Sequence, residues 1–318
     1  MRAAVRSKYG RPDVLSIAEI ERPTPEHDEV LVKVHAATVN RSDCHVLEGR
    51  PFMMRLFTGL LKPKHRSTGT DFAGEVEAVG RRVKAFKVGD RVIGFGGPFG
   101  AGSHAQYVSF PESKGIVAMP ENFDFVQAAS CIEGPAYAAG NFMRQKPRAG
   151  EKALVNGATG AIGSSYVQLF KHFGVQVTAV CRQKHFELIR SLGAERCVDY
   201  EKEDFTDDHE QYDYVFDTVG NSSFTRCRHL LNSRGVYAGN NPRDLLWAAL
   251  TFRSKGKRVL LAPPPNIKGV LRFLGRIIDE GGLRPVVDRV YRLEDIVPAF
   301  QYAASGDKVG AVVITMDE

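Results

Sequence analysis

Gly157, Gly160 and Gly163 follow directly on the apolar run of residues 152–156 (KALVN) and open into residues 161–173 (AIGSSYVQLFKHF), where apolar positions recur at helical spacing. Glycine lets a chain turn tightly, lets backbone amides approach a charged group, and lets a helix pack close to the strand before it. The first amides of such a helix carry partial positive charge, so the segment is suited to a phosphate. A glycine triplet alone also occurs in structural turns, but strand, turn, helix and a second apolar strand at residues 175–180 together favour the pyrophosphate of a dinucleotide. That second strand ends in Cys181-Arg182-Gln183-Lys184-His185. A site for NADH wants an acid about 20 residues beyond the glycines, to hold the ribose 2′-hydroxyl. Here Arg182 and Lys184 stand instead, which suits the 2′-phosphate of NADPH; otherwise they are a solvated helix start.

The elements that must position this cradle divide the chain in two. Up to about residue 120 the texture is strands and turns: residues 29–36 (EVLVKVHA), 72–79 (FAGEVEAV) and 91–94 alternate between glycine- and proline-marked turns. From about residue 124 short apolar strands alternate with helical patterns, at 152–156, 161–173, 175–180, 186–192, 197–199, 214–217, 224–231, 235–238 and 258–262. This is the signature of a doubly wound parallel sheet. After the triple proline 263–265 the tail holds a helix, a strand-like stretch at 285–291, another helix and a last strand at 311–315, read as returning to the first domain. The expected fold class is α/β: a β-rich domain over 1–123 and 267–318, with a Rossmann domain inserted over 124–266.

Two segments stand outside this plan. Residues 50–66 (RPFMMRLFTGLLKPKHR) mix bulky apolar and basic residues; a short amphipathic helix packed on the surface is favoured over a lid shaping a substrate pocket or a contact with a membrane surface. Residues 245–250 (LLWAAL) read as core or dimer contact.

The 318 residues are 43% hydrophobic and 25% charged, and no run approaches the roughly 20 apolar residues of a membrane span. The N-terminus lacks the apolar stretch of a secretory signal, so a cytoplasmic protein is expected. Five cysteines without C-x-x-C spacing argue against a disulfide framework or a four-thiolate zinc lobe. The net charge of +6 comes from cations interleaved with acids, so nucleic acid is not an expected partner.

Taken together, the opening MRAAVRSKYGRPDVL, EVLVKVHAATVNRSD, GTDFAGEVEAVG, FKVGDRVIGF, NGATGAIG, SLGAERCVDY, VFDTVG and the closing VGAVVI resemble, in order and over the whole chain, the medium-chain dehydrogenases/reductases, and within them the quinone oxidoreductase-like branch. The resemblance implies a GroES-like catalytic domain, a Rossmann domain and a homodimer. It also implies cofactor contacts at Thr159, Gly160, Ala161 and Ile162, at Cys181 and Arg182, at Tyr200, at Asp217, Thr218 and Val219 of the VFDTVG strand end, and at Gly239 and Asn240.

Zinc-dependent members of that superfamily carry a Cys where this chain has Asn40, two residues before Ser42-Asp43, and a His-Glu pair where it has Thr70-Asp71. Asn and Thr do not replace thiolate and imidazole, so no metal is expected. Without a Lewis acid, substrates that spread their own charge are favoured: quinones and α,β-unsaturated carbonyls, which become a phenolate or an enolate on hydride addition. Donors near the reacting oxygen are then needed. The candidate catalytic residues are Asn40, Asp43, His45 and Tyr137, although Ser42 and Asp43 equally suit a helix cap. The competing readings are a non-catalytic, NADPH-binding redox-responsive protein and a zinc-independent alcohol or alkenal reductase.

Overall fold

The computed structural model describes residues 1–97, 100–239, 241, 244–251, 254–260 and 266–316. In chain order the strands are β1 (Arg2–Val5), β2 (Ser16–Glu19), β3 (Glu29–Val39), β4 (Asp71–Val79), β5 (Arg91–Phe95), β6 (Tyr107–Pro111), β7 (Ile116–Ala118), β8 (Lys152–Asn156), β9 (Gln176–Val180), β10 (Arg196–Val198), β11 (Tyr212–Asp217), β12 (Leu231–Gly239), β13 (Arg258–Leu260), β14 (Val287–Arg292) and β15 (Ala311–Thr315). The helices are α1 (Arg41–Glu48), α2 (Arg55–Thr58), α3 (Phe125–Ser130), α4 (Glu133–Gln145), α5 (Ala161–His172), α6 (Phe186–Leu192), α7 (Phe224–Cys227), α8 (Asp244–Thr251), α9 (Ile267–Asp279) and α10 (Ile296–Ser305). The chain forms two compact units, one of Met1–Ala136, Pro265–Asp279 and Arg284–Glu318, the other of Tyr137–Pro264 and Glu280–Leu283.

The first unit is built on β3. Its residues pair antiparallel with β4, β6 and β15, and the sheet runs β14-β15-β3-β4-β5-β7 with β6 on β3. A strand so enclosed must be apolar on both faces; apart from Lys33, which is exposed, the residues of EVLVKVHAATV are buried or half-buried. Val30, Val32, Val34, Phe72, Val92, Ile116, Phe300 and Val312 share one core. The return of the tail is a pairing: Val312 sits opposite Val39 and Ile314 opposite Ala37. The division between the units falls after Ala136, inside α4, so residues 124–136, read above as part of the dinucleotide domain, belong to this unit. Their helical spacing suits either domain, but α3 packs on β3, β4 and β15.

The second unit is a parallel sheet of order β10-β9-β8-β11-β12-β13. Its order reverses at β8 and β11, which makes the carboxyl ends of those two strands the switch point where ligands bind in such sheets. Aromatic rings hold α5 to the sheet: Tyr166 stacks on Phe216 with centroids 4.2 Å apart, and Phe170 lies 5.6 Å from Phe216 and 5.7 Å from Tyr214. The buried Tyr166 hydroxyl accepts from Asn141 Nδ2 at 2.8 Å. Tyr166→Phe keeps the ring and deletes that bond, so a loss of about 1 kcal/mol is expected in a urea denaturation measurement.

The helix expected over 224–231 is shorter than its periodicity suggested. Ser223 caps α7, and Leu231, buried, begins β12 opposite Tyr212, so sheet pairing takes the end of the apolar run. Residues 245–250 lie on α8 and split in role: Trp247 packs on Phe224 with centroids 5.3 Å apart, whereas Leu245, Leu246 and Leu250 are exposed.

Candidate functional site

In the second unit the cradle is formed as its spacing requires. Gly157 has φ +80° and leaves β8; a Cβ there would fall 2.6 Å from Thr218 Oγ1 and from Val219 Cγ2, so the turns after β8 and β11 touch. Gly163 lies where a Cβ would stand 2.1 Å from the Gly157 carbonyl oxygen, which fixes how closely α5 approaches the turn. The N-cap of α5 is Gly160, which has no side chain to cover the first amides, and Thr159, Gly160, Ala161 and Ile162 are half-buried around them. Uncapped amides at the switch point fit the pyrophosphate of a dinucleotide.

The carried-over cofactor positions sort by what each side chain does. Asp217 is buried and its carboxylate accepts from the Val219, Gly220 and Ser222 backbone N–H groups and from Asn156 Nδ2, so it shapes the loop rather than meeting a ligand. That loop presents Thr218, whose hydroxyl donates to the Asn156 carbonyl at 2.8 Å, and the exposed Val219. Cys181 is also buried, its thiol pushed up to about 12 by burial, and only its backbone is left for a ligand. Gly239 ends β12; Asn240 lies outside the described residues. At the end of β9, Arg182 donates from Nε to Glu201 Oε1 at 2.9 Å and lies 5.8 Å from the ring centre of the exposed Tyr200. Lys184 is exposed. The absence of an acid after β9 in the sequence is therefore only half of the local chemistry, because the turn after β10 returns a carboxylate to Arg182.

In the first unit a network of buried polar groups surrounds Glu133, the first residue of α4. Ser42 Oγ donates to Glu133 Oε1, and Thr70 Oγ1 and Asn40 Nδ2 donate to Oε2, the last at 2.9 Å. Asn40 Nδ2 also donates to Thr38 Oγ1 at 2.5 Å; Thr38 Oγ1 in turn donates to Asp71 Oδ2 at 2.5 Å, and the Thr38 amide donates to Asp71 Oδ1 at 2.8 Å. Asn40, at the N-cap of α1, therefore has both amide hydrogens committed inside the protein and positions Glu133 rather than offering a donor to substrate. Asp43 is corrected likewise: buried, it accepts the Asn40 backbone N–H at 2.8 Å, the helix-cap role. His45 is exposed on α1, and Tyr137 lies on α4, one helical turn after Glu133.

Burial, and then the Glu133 charge, push Asp71 up to about 8 against its hydrogen bonds from Thr38. Glu133 and Asp43 are raised by burial too, Glu133 against its three side-chain donors. Lys308 is the cation that Glu133 and Asp43 share, and burial lowers its own pKa. Three buried carboxyls that repel one another cannot all ionise in a low dielectric, so with Asp71 raised to about 8 the cluster holds a proton near neutral pH. Sequence reading missed Glu133 and Thr38, and noted Thr70 and Asp71 only as standing where zinc-dependent relatives carry a His-Glu pair, because these residues are far apart in the chain. A lone Glu opening a helix carries no signal beyond dipole preference.

The donor set does not suit zinc. Around Glu133 it comprises an amide and hydroxyls, all engaged as donors. The nearby thiol of Cys44 is buried and pushed up to about 12, and His104, fully buried, has Nδ1 2.9 Å from Thr68 Oγ1 and Nε2 3.0 Å from the Thr38 carbonyl. Among the described residues no three His, Cys, Asp or Glu side chains are grouped to hold a metal.

Residues 26–121 match the model of the alcohol dehydrogenase GroES-like domain, and residues 192–314 that of the zinc-binding dehydrogenases. The NADPH-dependent alkenal/one oxidoreductase of Arabidopsis thaliana chloroplasts is 32% identical over 335 residues, covering 99% of this chain and 79% of that protein. The chain belongs to the medium-chain dehydrogenase/reductase superfamily, in its quinone oxidoreductase-like branch. Within that branch the chloroplastic quinone-oxidoreductase QR1 of Triphysaria versicolor is 29% identical and covers 99% of this chain and 98% of its own. The solved quinone oxidoreductase of Coxiella burnetii superposes with a TM-score of 0.88 at 27% identity over all of this chain and 99% of its own.

Proposed function

We propose that the chain is an NADPH-dependent reductase of quinones and α,β-unsaturated carbonyls, working without a metal. The observation that carries the reading is the uncapped glycine cradle at the switch point with Arg182 beside it at the end of β9; relatives bearing the names alkenal/one oxidoreductase and quinone oxidoreductase support the substrate class. Gly157, Gly160 and Gly163, with the amides of Thr159, Ala161 and Ile162, would hold the pyrophosphate. Arg182 and Lys184 would hold the 2′-phosphate, and Thr218 and Val219 would border the dinucleotide. Bound there, the reduced nicotinamide supplies a hydride. The first unit supplies the proton. Glu133 and Asp71 share it in a buried network, and Ser42, the half-buried hydroxyl that donates to Glu133 Oε1, is where that network opens toward solvent. A hydroxyl backed by that network can answer the charge of a phenolate or enolate, which demands less of the protein than an alkoxide would.

The reading includes a cytoplasmic homodimer. β13 ends the second unit's sheet, α8 packs beside it, and Leu245, Leu246 and Leu250 of α8 are exposed, which together make an edge that a second copy would cover.

Glu201 is the one group that favours a second reading, since freed from Arg182 it could accept from the 2′-hydroxyl of NADH. The Arg182–Glu201 pair is solvent-exposed and worth about 1 kcal/mol or less, so a 2′-phosphate displaces it at small cost. Fluorescence titrations with NADPH and NADH, followed by turnover with a quinone and an enone, test the proposal. NADPH is expected to bind at least about tenfold tighter than NADH, Arg182→Ala to remove the difference, and Glu201→Gln to tighten NADPH by about two- to fivefold. Preference for NADH abolished by Glu201→Gln would sink the cofactor assignment, and tight NADPH binding without turnover of either substrate would sink the chemistry.

A further inference from the structure

Residues 50–66 have the opposite arrangement to an ordinary surface helix. They form a helical turn at Phe52–Met54 and the short α2, and the side chain they bury best is polar: Thr58, 7% exposed. Its hydroxyl donates to the Met54 carbonyl at 3.1 Å and lies 2.8 Å from the Tyr9 hydroxyl, which itself donates to the Gly59 carbonyl at 2.6 Å. Arg55 fastens the same base, its guanidinium 4.5 Å from the Tyr9 ring centre and its Nε donating to the Gly49 carbonyl at 3.2 Å. The apolar side chains point away: Phe52, Met53, Leu56, Phe57, Leu60 and Leu61 are 53–87% exposed. The short amphipathic helix packed by its apolar side, favoured from sequence, is thus overturned. Two helical turns are too short to bury a stripe of their own, and the hydrogen bonds of Tyr9 and Arg55 fix the polar side inward.

Charge identifies what such a surface meets. Between Glu48 and Asp71 there is no acid, while Arg50, Arg55, Lys62, Lys64, His65 and Arg66 are all basic. Of these, Arg50, Lys62, Lys64, His65 and Arg66 are exposed, and Arg50 has Glu48 Oε2 at 3.8 Å. A protein partner of general kind would be met by mixed charge; a bulky apolar tip ringed by cations of one sign is complementary to acyl chains beneath anionic headgroups. No helix among the described residues is long and apolar enough to cross a membrane, so such contact is peripheral. We infer that residues 52–66 form a membrane-surface anchor, with Leu60, Leu61, Phe52 and Met53 entering the interface of an anionic bilayer and Lys62, Lys64 and Arg66 meeting its headgroups.

Co-sedimentation of the full chain with vesicles of phosphatidylglycerol and phosphatidylcholine, against vesicles of phosphatidylcholine alone, tests this, with the oligomeric mass followed by light scattering. The wild type is expected to sediment with the anionic vesicles only and to be released by salt. Leu60→Ser/Leu61→Ser and Lys62→Glu/Arg66→Glu are each expected to weaken binding by about tenfold or more, with dinucleotide affinity unchanged as the check on folding. Wild-type protein left in the supernatant, or the leucine variant sedimenting like the wild type, overturns the anchor. A fall in oligomeric mass in the leucine variant also overturns it, assigning the patch to a second copy of the chain. Because dinucleotide titration and turnover are read separately, failure of the anchor leaves the proposed reaction standing, and the reverse.

Discussion

Gly163→Ala is expected to weaken dinucleotide binding by about a hundredfold, roughly 2.7 kcal/mol, and to destabilise the second unit by about 1–3 kcal/mol. The added Cβ would sit 2.1 Å from the Gly157 carbonyl oxygen and 2.9 Å from Ala158 Cα. Both neighbours are backbone, so no side-chain rotation relieves the contact; α5 must move outward, or the turn after β8 must open. Either shift withdraws the α5 amides from the turn that Gly157 forms with Thr218 and Val219. Gly160 provides the control, because the nearest atom a Cβ would meet there is the Gly157 carbonyl oxygen at 3.6 Å, an ordinary contact. Gly160→Ala should therefore fold normally, and any loss of affinity in it reports obstruction of the cradle itself. Calorimetric titration with NADPH and a urea denaturation curve separate the two effects. If Gly163→Ala bound NADPH like the wild type, the glycines would be structural only.

The second large effect is expected at Glu133. Glu133→Ala leaves Ser42, Thr70 and Asn40 without their shared acceptor in a buried site and should cost about 3 kcal/mol or more, together with most of the turnover. Glu133→Gln keeps one acceptor oxygen, and the hydroxyls of Ser42 and Thr70 can rotate to accept from its amide, so it should fold. The pH dependence distinguishes a proton-holding network from a merely structural one. Burial raises Asp71 from its ordinary 3.8 to about 8 and raises Glu133 and Asp43 as well, so over that window the folded protein binds protons that the unfolded chain has released. Stability from this cluster is therefore greatest at and below the ordinary carboxylate range and falls as pH rises toward about 8, with a limiting slope of about 1.4 kcal/mol per pH unit for each proton. Glu112 and Asp204, held low by backbone N–H donors, act oppositely; their stabilisation is complete above the ordinary range and lost on acidification. Wild-type urea midpoints should decline between pH about 5 and about 8, and Glu133→Gln should flatten that decline by removing a negative charge from beside Asp71. Equal slopes in the two proteins would show that Glu133 does not share in the proton.

What the sequence determined by itself is what local chemistry determines. The glycine spacing, the apolar strand before it and the helical period after it all lie within about twenty residues, and each has one local solution, so the cradle and its place after β8 were legible without any long-range contact. The run of cations in residues 50–66 was legible too. Its direction was not, since a few helical residues carry too little periodicity to say which side faces the protein, and the hydrogen bonds of Tyr9 to Thr58 and Gly59, with the Arg55 guanidinium over the Tyr9 ring, decide it from some fifty residues away. Glu201 reaches Arg182 only because β10 lies beside β9, which no spacing rule reveals. The network of Thr38, Asn40, Ser42, Thr70, Asp71 and Glu133 was the least legible of all. Its members come from the end of β3, the start of α1, the turn into β4 and the first residue of α4, and single polar residues at element ends are common. Only their joint burial, which raises every carboxyl among them, makes them a site, and burial is a property of the tertiary structure.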